Sequence, residues 1–180
     1  MDTLLFSDRS IWTMIHGIAL GGGALMGLSA ALFAMRALRT ADTPQTATQD
    51  PSRDLAWLTV LIAAALWLTV LIGTYVNFPP YRATPPTGLA DLSHYPRALI
   101  GSNPGTAWLH AFAMEIKEHV PWIAAMLATS VAFVCVRYRS TVLRDRALRT
   151  VTTALLATCF VLVVFVALMG VLINKVAPLQ

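Results

Sequence analysis

Charged residues are scarce in this sequence. Of its 180 residues, 12% are aspartate, glutamate, lysine or arginine, whereas 57% are hydrophobic, and the mean hydropathy is +0.65. Such a balance is too apolar for an ordinary soluble domain. The net charge is only +4, and the basic residues cluster as they do in membrane proteins, so no nucleic-acid partner is expected.

Cysteines and acidic metal ligands are equally scarce. Cys135 and Cys159 lie inside apolar segments without the spacing of a disulfide framework or a thiolate metal site, and we interpret them as small packing residues. Glu115 and Glu118 are the only acids within any apolar segment, which disfavours a carboxylate-bridged di-iron site. Phosphate loops and nucleophilic triads are also absent. Whether the protein is an enzyme is therefore uncertain. At most, we expect it to be an electron-transfer subunit of an oxidoreductase complex.

Four long apolar segments account for the hydrophobicity, at about residues 11–35, 55–76, 107–136 and 147–173. Each exceeds the ~20 residues that a helix needs to cross the hydrocarbon core of a bilayer. Strands in lipid would leave backbone groups unsatisfied, whereas helices satisfy them internally. The sequence predicts an all-α fold, a bundle of four transmembrane helices that forms one integral membrane domain over residues 1–180. The first segment lacks a basic leader and is expected to be retained.

The basic residues are distributed asymmetrically between the connections. The first and third connections carry most of the arginines, which are Arg36, Arg39, Arg53, Arg137, Arg139, Arg144, Arg146 and Arg149. Positive charge beside short loops marks the cytoplasmic side. We therefore expect a bacterial-type inner membrane protein whose N- and C-termini are both extracytoplasmic.

The second connection, residues 77–105, is long and rich in proline. Its prolines are Pro79, Pro80, Pro85, Pro86, Pro96 and Pro104. Long connections of this kind are usually functional or disordered. The sequence predicts an extracytoplasmic loop that covers the outer end of the bundle, over a quinone pocket or as a docking site for a soluble cytochrome.

Three histidines lie on the apolar segments, and an ionisable residue within a membrane is a functional candidate. At 1.5 Å per residue, His16 lies ~30 Å from Arg36 and His119 lies ~27 Å from Arg137. His110 lies ~40 Å from Arg137 by the same measure. His16 and His119 therefore share one depth, near the outer membrane face, and His110 lies beyond them.

Helical phase separates the two histidines of the third segment. Nine residues correspond to about 900° of rotation, which places His110 and His119 on nearly opposite faces. His110, Met114 and Lys117 share one face of this helix. Glu115 and His119 share another. His110 and His119 therefore cannot bind one metal ion together.

Two neutral imidazoles at one depth can provide the axial ligands of a b-type haem. We predict that His16 and His119 ligate one haem iron. The sequence does not decide whether a second haem is bound. Gly17 and Gly21 leave a stripe without side chains beside His16, which suits either a porphyrin edge or close helix packing. The predicted cofactor-binding residues are His16, His119, Gly17, Gly21, Tyr75 and Met169.

Copper is the alternative cofactor. His110 and Met114 share a helix face and could belong to a copper site, or to a second haem site. A copper site of this kind could also include Met14 and His16. A second bis-histidine haem would need His94 or a methionine ligand.

An uninterrupted bundle with histidines on two helices at matched depth resembles the small four-helix membrane cytochrome b family. The resemblance covers the helical architecture, while the second histidine pair of the di-haem members is missing. It implies electron transfer between a quinol or a soluble cytochrome and other membrane subunits of a respiratory or photosynthetic redox complex. A cofactor-free accessory subunit of a membrane complex is the competing interpretation.

Overall fold

The computed structural model describes residues 7–40 and 50–178, except for the side chains of residues 39 and 40. The prediction that Arg39 marks the cytoplasmic side therefore lies outside the described residues. The described residues contain helices and no strand. Two helices form the first half of the chain. Helix α1 comprises Asp8–Met14, the π-helical Ile15–Gly22 and Gly23–Thr40. Helix α2 comprises Pro51–Ile72, the π-helical Gly73–Asn77 and Phe78–Arg82.

The second half contains two long and two short helices. The short ones are α3, Pro96–Gly101, and α5, Ser140–Arg144. Helix α4 comprises Pro104–Trp108, the π-helical Leu109–Met114 and Glu115–Tyr138. The last helix, α6, is Arg146–Val176.

The prediction of an all-α fold with four long apolar helices is confirmed. Helices α1, α2, α4 and α6 are each long and apolar enough to cross a membrane. The predicted 77–105 loop is shorter than expected, because α2 continues to Arg82 and α4 already begins at Pro104. Pro96 and Pro104 occupy the first turn of their helices. A backbone N–H in the first turn has no intrahelical acceptor, so proline, which lacks this N–H, breaks no hydrogen bond there. The non-helical parts of this connection are residues 83–95 and 102–103.

The four long helices form a ring in which α1 and α4 lie diagonally opposite each other. Helices α2 and α6 each pack against both of them. We call the end of the bundle that carries residues 78–108 the loop end, and the end that carries Arg53, α5 and Arg146 the arginine end. The N-terminal turns of α1 pack against the π-helical turns of α2, so both lie at the loop end.

Small residues let the helices approach closely in the middle of the bundle. Ala124, Ala125 and Ala128 of α4 are fully buried, and Leu28 and Leu156 meet them from α1 and α6 in one continuous apolar core. A second buried apolar cluster at the loop end contains Ile100, Leu109, Ala113, Met114, Met169 and Ile173.

Gly27 provides a test of this close packing. A Cβ atom added there would lie 2.8 Å from Cγ1 of Ile62, whose side chain is buried in the contact between α1 and α2. We expect Gly27→Ala to destabilise the bundle by about 1–3 kcal/mol, as overpacking of a core does. Gly23→Ala is the matched control, because a Cβ there meets nothing within 4 Å. Thermal unfolding in detergent, followed by circular dichroism, should rank Gly27→Ala below both the control and the wild type.

Candidate functional site

Three of the four long helices contain π-helical turns toward the loop end. These are residues 15–22 of α1, 73–77 of α2 and 109–114 of α4. A π-helical turn contains an extra residue, widens the helix locally and is frequent at functional sites. His16 lies in the first of these segments, and Lys117 lies three residues after the third.

His16 of α1 is held against α2. Its Nδ1 atom lies 2.9 Å from the carbonyl oxygen of Thr69, and the side chain is half-buried. Because a carbonyl only accepts hydrogen bonds, Nδ1 carries a proton in this arrangement, and in the neutral ring Nε2 keeps its lone pair. A Cβ atom on Gly73 would lie 2.7 Å from Cε1 of the imidazole. The missing side chain of Gly73 is therefore what makes room for the ring.

Lys117 of α4 reaches toward the same region from the diagonally opposite helix. A Cβ atom on Gly170 of α6 would lie 2.8 Å from the Lys117 Nζ, so a second glycine makes room for the amine. Helix α6, which carries Gly170, also packs against residues 15–22 of α1, which include His16. Within residues 7–40 and 50–178, no carboxylate lies within ion-pair distance of Lys117. The Lys117 amine and the His16 imidazole thus lie at the same end of the bundle, and Lys117 has no acidic partner among the described residues.

His119 faces away from this pair. Its side chain is 70% exposed, and its Nδ1 atom lies 2.9 Å from the carbonyl oxygen of Glu115, one turn earlier on the same helix. The same nitrogen lies 3.7 Å from a carboxylate oxygen of Glu115. Lys117 and His119 are two residues apart, or about 200° around the helix, so His119 points outward when Lys117 points inward. The structure does not bring His16 and His119 together.

The sequence contains a signal for Lys117 that the histidine-based reasoning missed. Ala124 and Ala128 follow Lys117 by 7 and 11 residues, lie on its face of the helix and are buried. Met126 follows His119 by seven residues and is exposed. Small residues on one helix face are typical of helix–helix contacts in membranes. The alanines therefore mark the inward face of α4.

His110 belongs to a separate contact at the loop end. Its Nδ1 atom lies 3.1 Å from the hydroxyl oxygen of Tyr81, and the Tyr81 ring stacks on Phe78 at a centroid distance of 6.1 Å. Met114, on the same face of α4, is buried. The described residues contain no group of three or more histidine, cysteine, aspartate or glutamate side chains placed to hold a metal ion.

The remaining predicted site residues surround His16 only in part. Tyr75 is 70% exposed, and Met169 is buried in the apolar cluster at the loop end. A Cβ atom on Gly17 would meet nothing within 4 Å, and one on Gly21 would lie 3.3 Å from the carbonyl oxygen of His16. The backbone carbonyl of Thr69 and the glycines at 73 and 170, which are not among the predicted site residues, complete the surroundings of His16 and Lys117.

Asn77 adds a further polar group. It lies one helical turn beyond Gly73, toward the loop end, and its Nδ2 atom is buried without a hydrogen-bond partner in the described part of the chain. A buried donor left without an acceptor costs about 1–3 kcal/mol. The loop end therefore holds two donor side chains, Lys117 and Asn77, for which the described protein supplies no acceptor.

Comparison of the chain with family models, curated proteins and solved structures finds no match. The assignment of a function consequently rests on the site itself.

Gly73 provides a test of the position of His16. We expect Gly73→Ala to displace the imidazole from Thr69, because the added methyl group would overlap the ring. The His16 side-chain resonances of ¹⁵N-histidine-labelled protein in detergent should shift, since the Nδ1 hydrogen bond is broken. Gly17→Ala should leave them unchanged, because its methyl group would enter open space. Wild-type His16 resonances in Gly73→Ala would contradict the geometry.

Proposed function

We propose that this protein is an integral membrane subunit of an electron-transfer complex, and that the region around His16 and Lys117 binds the headgroup of a membrane quinone. The observation that carries the proposal is the Lys117 amine, which lies against Gly170 of α6, the helix that also packs against the His16 segment of α1, and which has no carboxylate partner among the described residues. Ionisable groups in membrane segments are costly, and they commonly mark substrate and proton pathways.

The groups present match the chemistry of a quinone. Its two carbonyl oxygens accept hydrogen bonds, which a protonated Lys117 and the Nδ2 of Asn77 can donate. A charged donor also stabilises the negative charge that develops on oxygen when an electron is added. Oxidation of the hydroquinone releases two electrons and two protons. Neutral His16, with a lone pair on Nε2, can accept one of these protons, the second passes to water at the loop end, and the two electrons pass one at a time to a redox-active partner subunit.

The arrangement of the bundle is compatible with this role. We propose that the arginine end faces the cytoplasm, which follows the distribution of basic residues, and that the loop end lies at the extracytoplasmic face of a bacterial-type inner membrane. The headgroup would then bind near the outer face, and its isoprenoid tail would lie along the apolar helices. Residues 83–95 lie at this end, where a soluble cytochrome would dock.

A b-type haem is the second candidate, and the hydrogen bonds of the histidines favour it. His16 and His119 each direct Nδ1 to a backbone carbonyl, which leaves Nε2 available, as in metal-ligating histidines. The two rings do not face a common space within one chain, so one bis-histidine haem could be held only between chains. A bound haem would supply single-electron transfer.

The quinone proposal predicts that Lys117→Met weakens binding of a short-chain quinone at least about tenfold, the effect of losing one charge-assisted hydrogen bond. Affinity is measured by titration of the purified protein in nanodiscs, with tryptophan fluorescence as the signal. Folding should persist, because removing an unpaired charge leaves no other charge stranded. His119→Gln, on the outward face of the same helix, is the control and should bind normally. Unchanged affinity in Lys117→Met, or equal losses in both variants, would reject the quinone site.

The haem candidate predicts a sharp α-band in the absorption spectrum of the dithionite-reduced protein. His16→Ala should abolish the band. His94→Ala should retain it, because His94 is exposed on the connection at the loop end. A colourless protein excludes haem without affecting the quinone proposal. A protein that binds neither group would support the interpretation as an accessory subunit.

A further inference from the structure

A groove of about 710 Å³ lies between α2 and α4, away from His16 and Lys117. Its walls include the small side chains of Ala64 and Ala132. Trp67 lies toward the loop end of the groove, where its indole nitrogen donates a hydrogen bond of 2.9 Å to Oγ1 of Thr129 on α4. Arg137 lines the opposite end. The groove is therefore apolar along its length and basic at one end.

The guanidinium of Arg137 is available to a ligand. It lies 5.8 Å from the ring centroid of Tyr138, and the structure places no carboxylate within ion-pair distance of it in residues 7–40 and 50–178. Arginine binds phosphate through two parallel N–H donors. A ligand that combines an apolar chain with a phosphate would match both parts of the groove.

The length of the groove matches one leaflet of a bilayer. From Thr129 to Arg137 the helix rises ~12 Å, and half of the hydrocarbon core measures about 15 Å. A transmembrane helix of a second copy would need a contact along about 30 Å, twice this length. The length of the groove and the single charge of Arg137 at its end favour a lipid chain over a helix as the ligand.

We propose that this groove binds one acyl chain of an acidic phospholipid, whose phosphate contacts Arg137. Basic pockets between transmembrane helices on the cytoplasmic side bind acidic lipid headgroups in the same way. The proposal does not depend on the proposed electron-transfer function, because the groove and the His16 region share no residue.

Native mass spectrometry of the full-length protein, released from mixed vesicles of phosphatidylglycerol and phosphatidylcholine with identical acyl chains, tests the headgroup contact. We expect preferential retention of phosphatidylglycerol. Arg137→Gln should reduce that retention about fivefold, the effect of one basic residue near an acidic headgroup. Arg144→Gln removes the same charge from exposed α5, outside the groove, and should retain the lipid. Equal retention of both lipids, or equal losses in both variants, would overturn the headgroup contact.

A second variant tests the groove itself. Ala64 is exposed at the groove wall, so Ala64→Phe should fill the space without disturbing the core, and should displace the lipid while Arg137 remains. Ala154→Phe, at an exposed position on α6, is the control and should keep the lipid. Lipid retention in Ala64→Phe would overturn the site. A lipid-free dimer that Ala64→Phe dissociates would assign the groove to a second copy of the chain instead.

Discussion

The rotation of α4 about its own axis is the constraint on which the candidate site depends. A face of small alanines packs this helix against α2 and α6, and a different rotation would drive Met126 and Phe133 into the contact. Lys117 shares the alanine face and therefore points into the bundle, against Gly170. His119, about 200° away, points outward. The interior consequently offers the chemistry of one imidazole and one amine, and not that of two imidazoles.

Glycines on the neighbouring helices complement both polar side chains. Gly73 leaves room for His16, and Gly170 leaves room for Lys117. At Gly27 the same residue type serves close apolar packing, because the atom nearest to its missing Cβ belongs to Ile62. The role of a glycine in this bundle is thus set by what lies opposite it. Where an apolar side chain lies opposite the glycine, the glycine allows close packing of two helices. Where a polar side chain lies opposite it, the glycine makes room for that side chain in the candidate site.

The two ends of the bundle differ in chemistry, and an apolar core rich in alanine separates them. Lys117 and Asn77, two donors for which the described residues supply no acceptor, lie at the end where three helices contain π-helical turns. Toward the arginine end, an apolar groove ends at Arg137. A headgroup that accepts hydrogen bonds suits the first region, and a lipid with a negative phosphate suits the second. The two proposed ligands would therefore occupy separate regions of the bundle.

The sequence by itself determined the four apolar helices, because segment length and backbone satisfaction in lipid are local properties. It also singled out His16 as a candidate, and by helical phase it placed Lys117 and His119 on different faces of one helix. The helix ends near Pro96 and Pro104 were missed, since proline is compatible with a first helical turn. Only the tertiary structure decided that the Lys117 face of α4 turns inward and that Gly73 and Gly170 lie opposite the two polar groups. Helical periodicity shows which residues share a face, whereas the packing of neighbouring helices decides which face they cover.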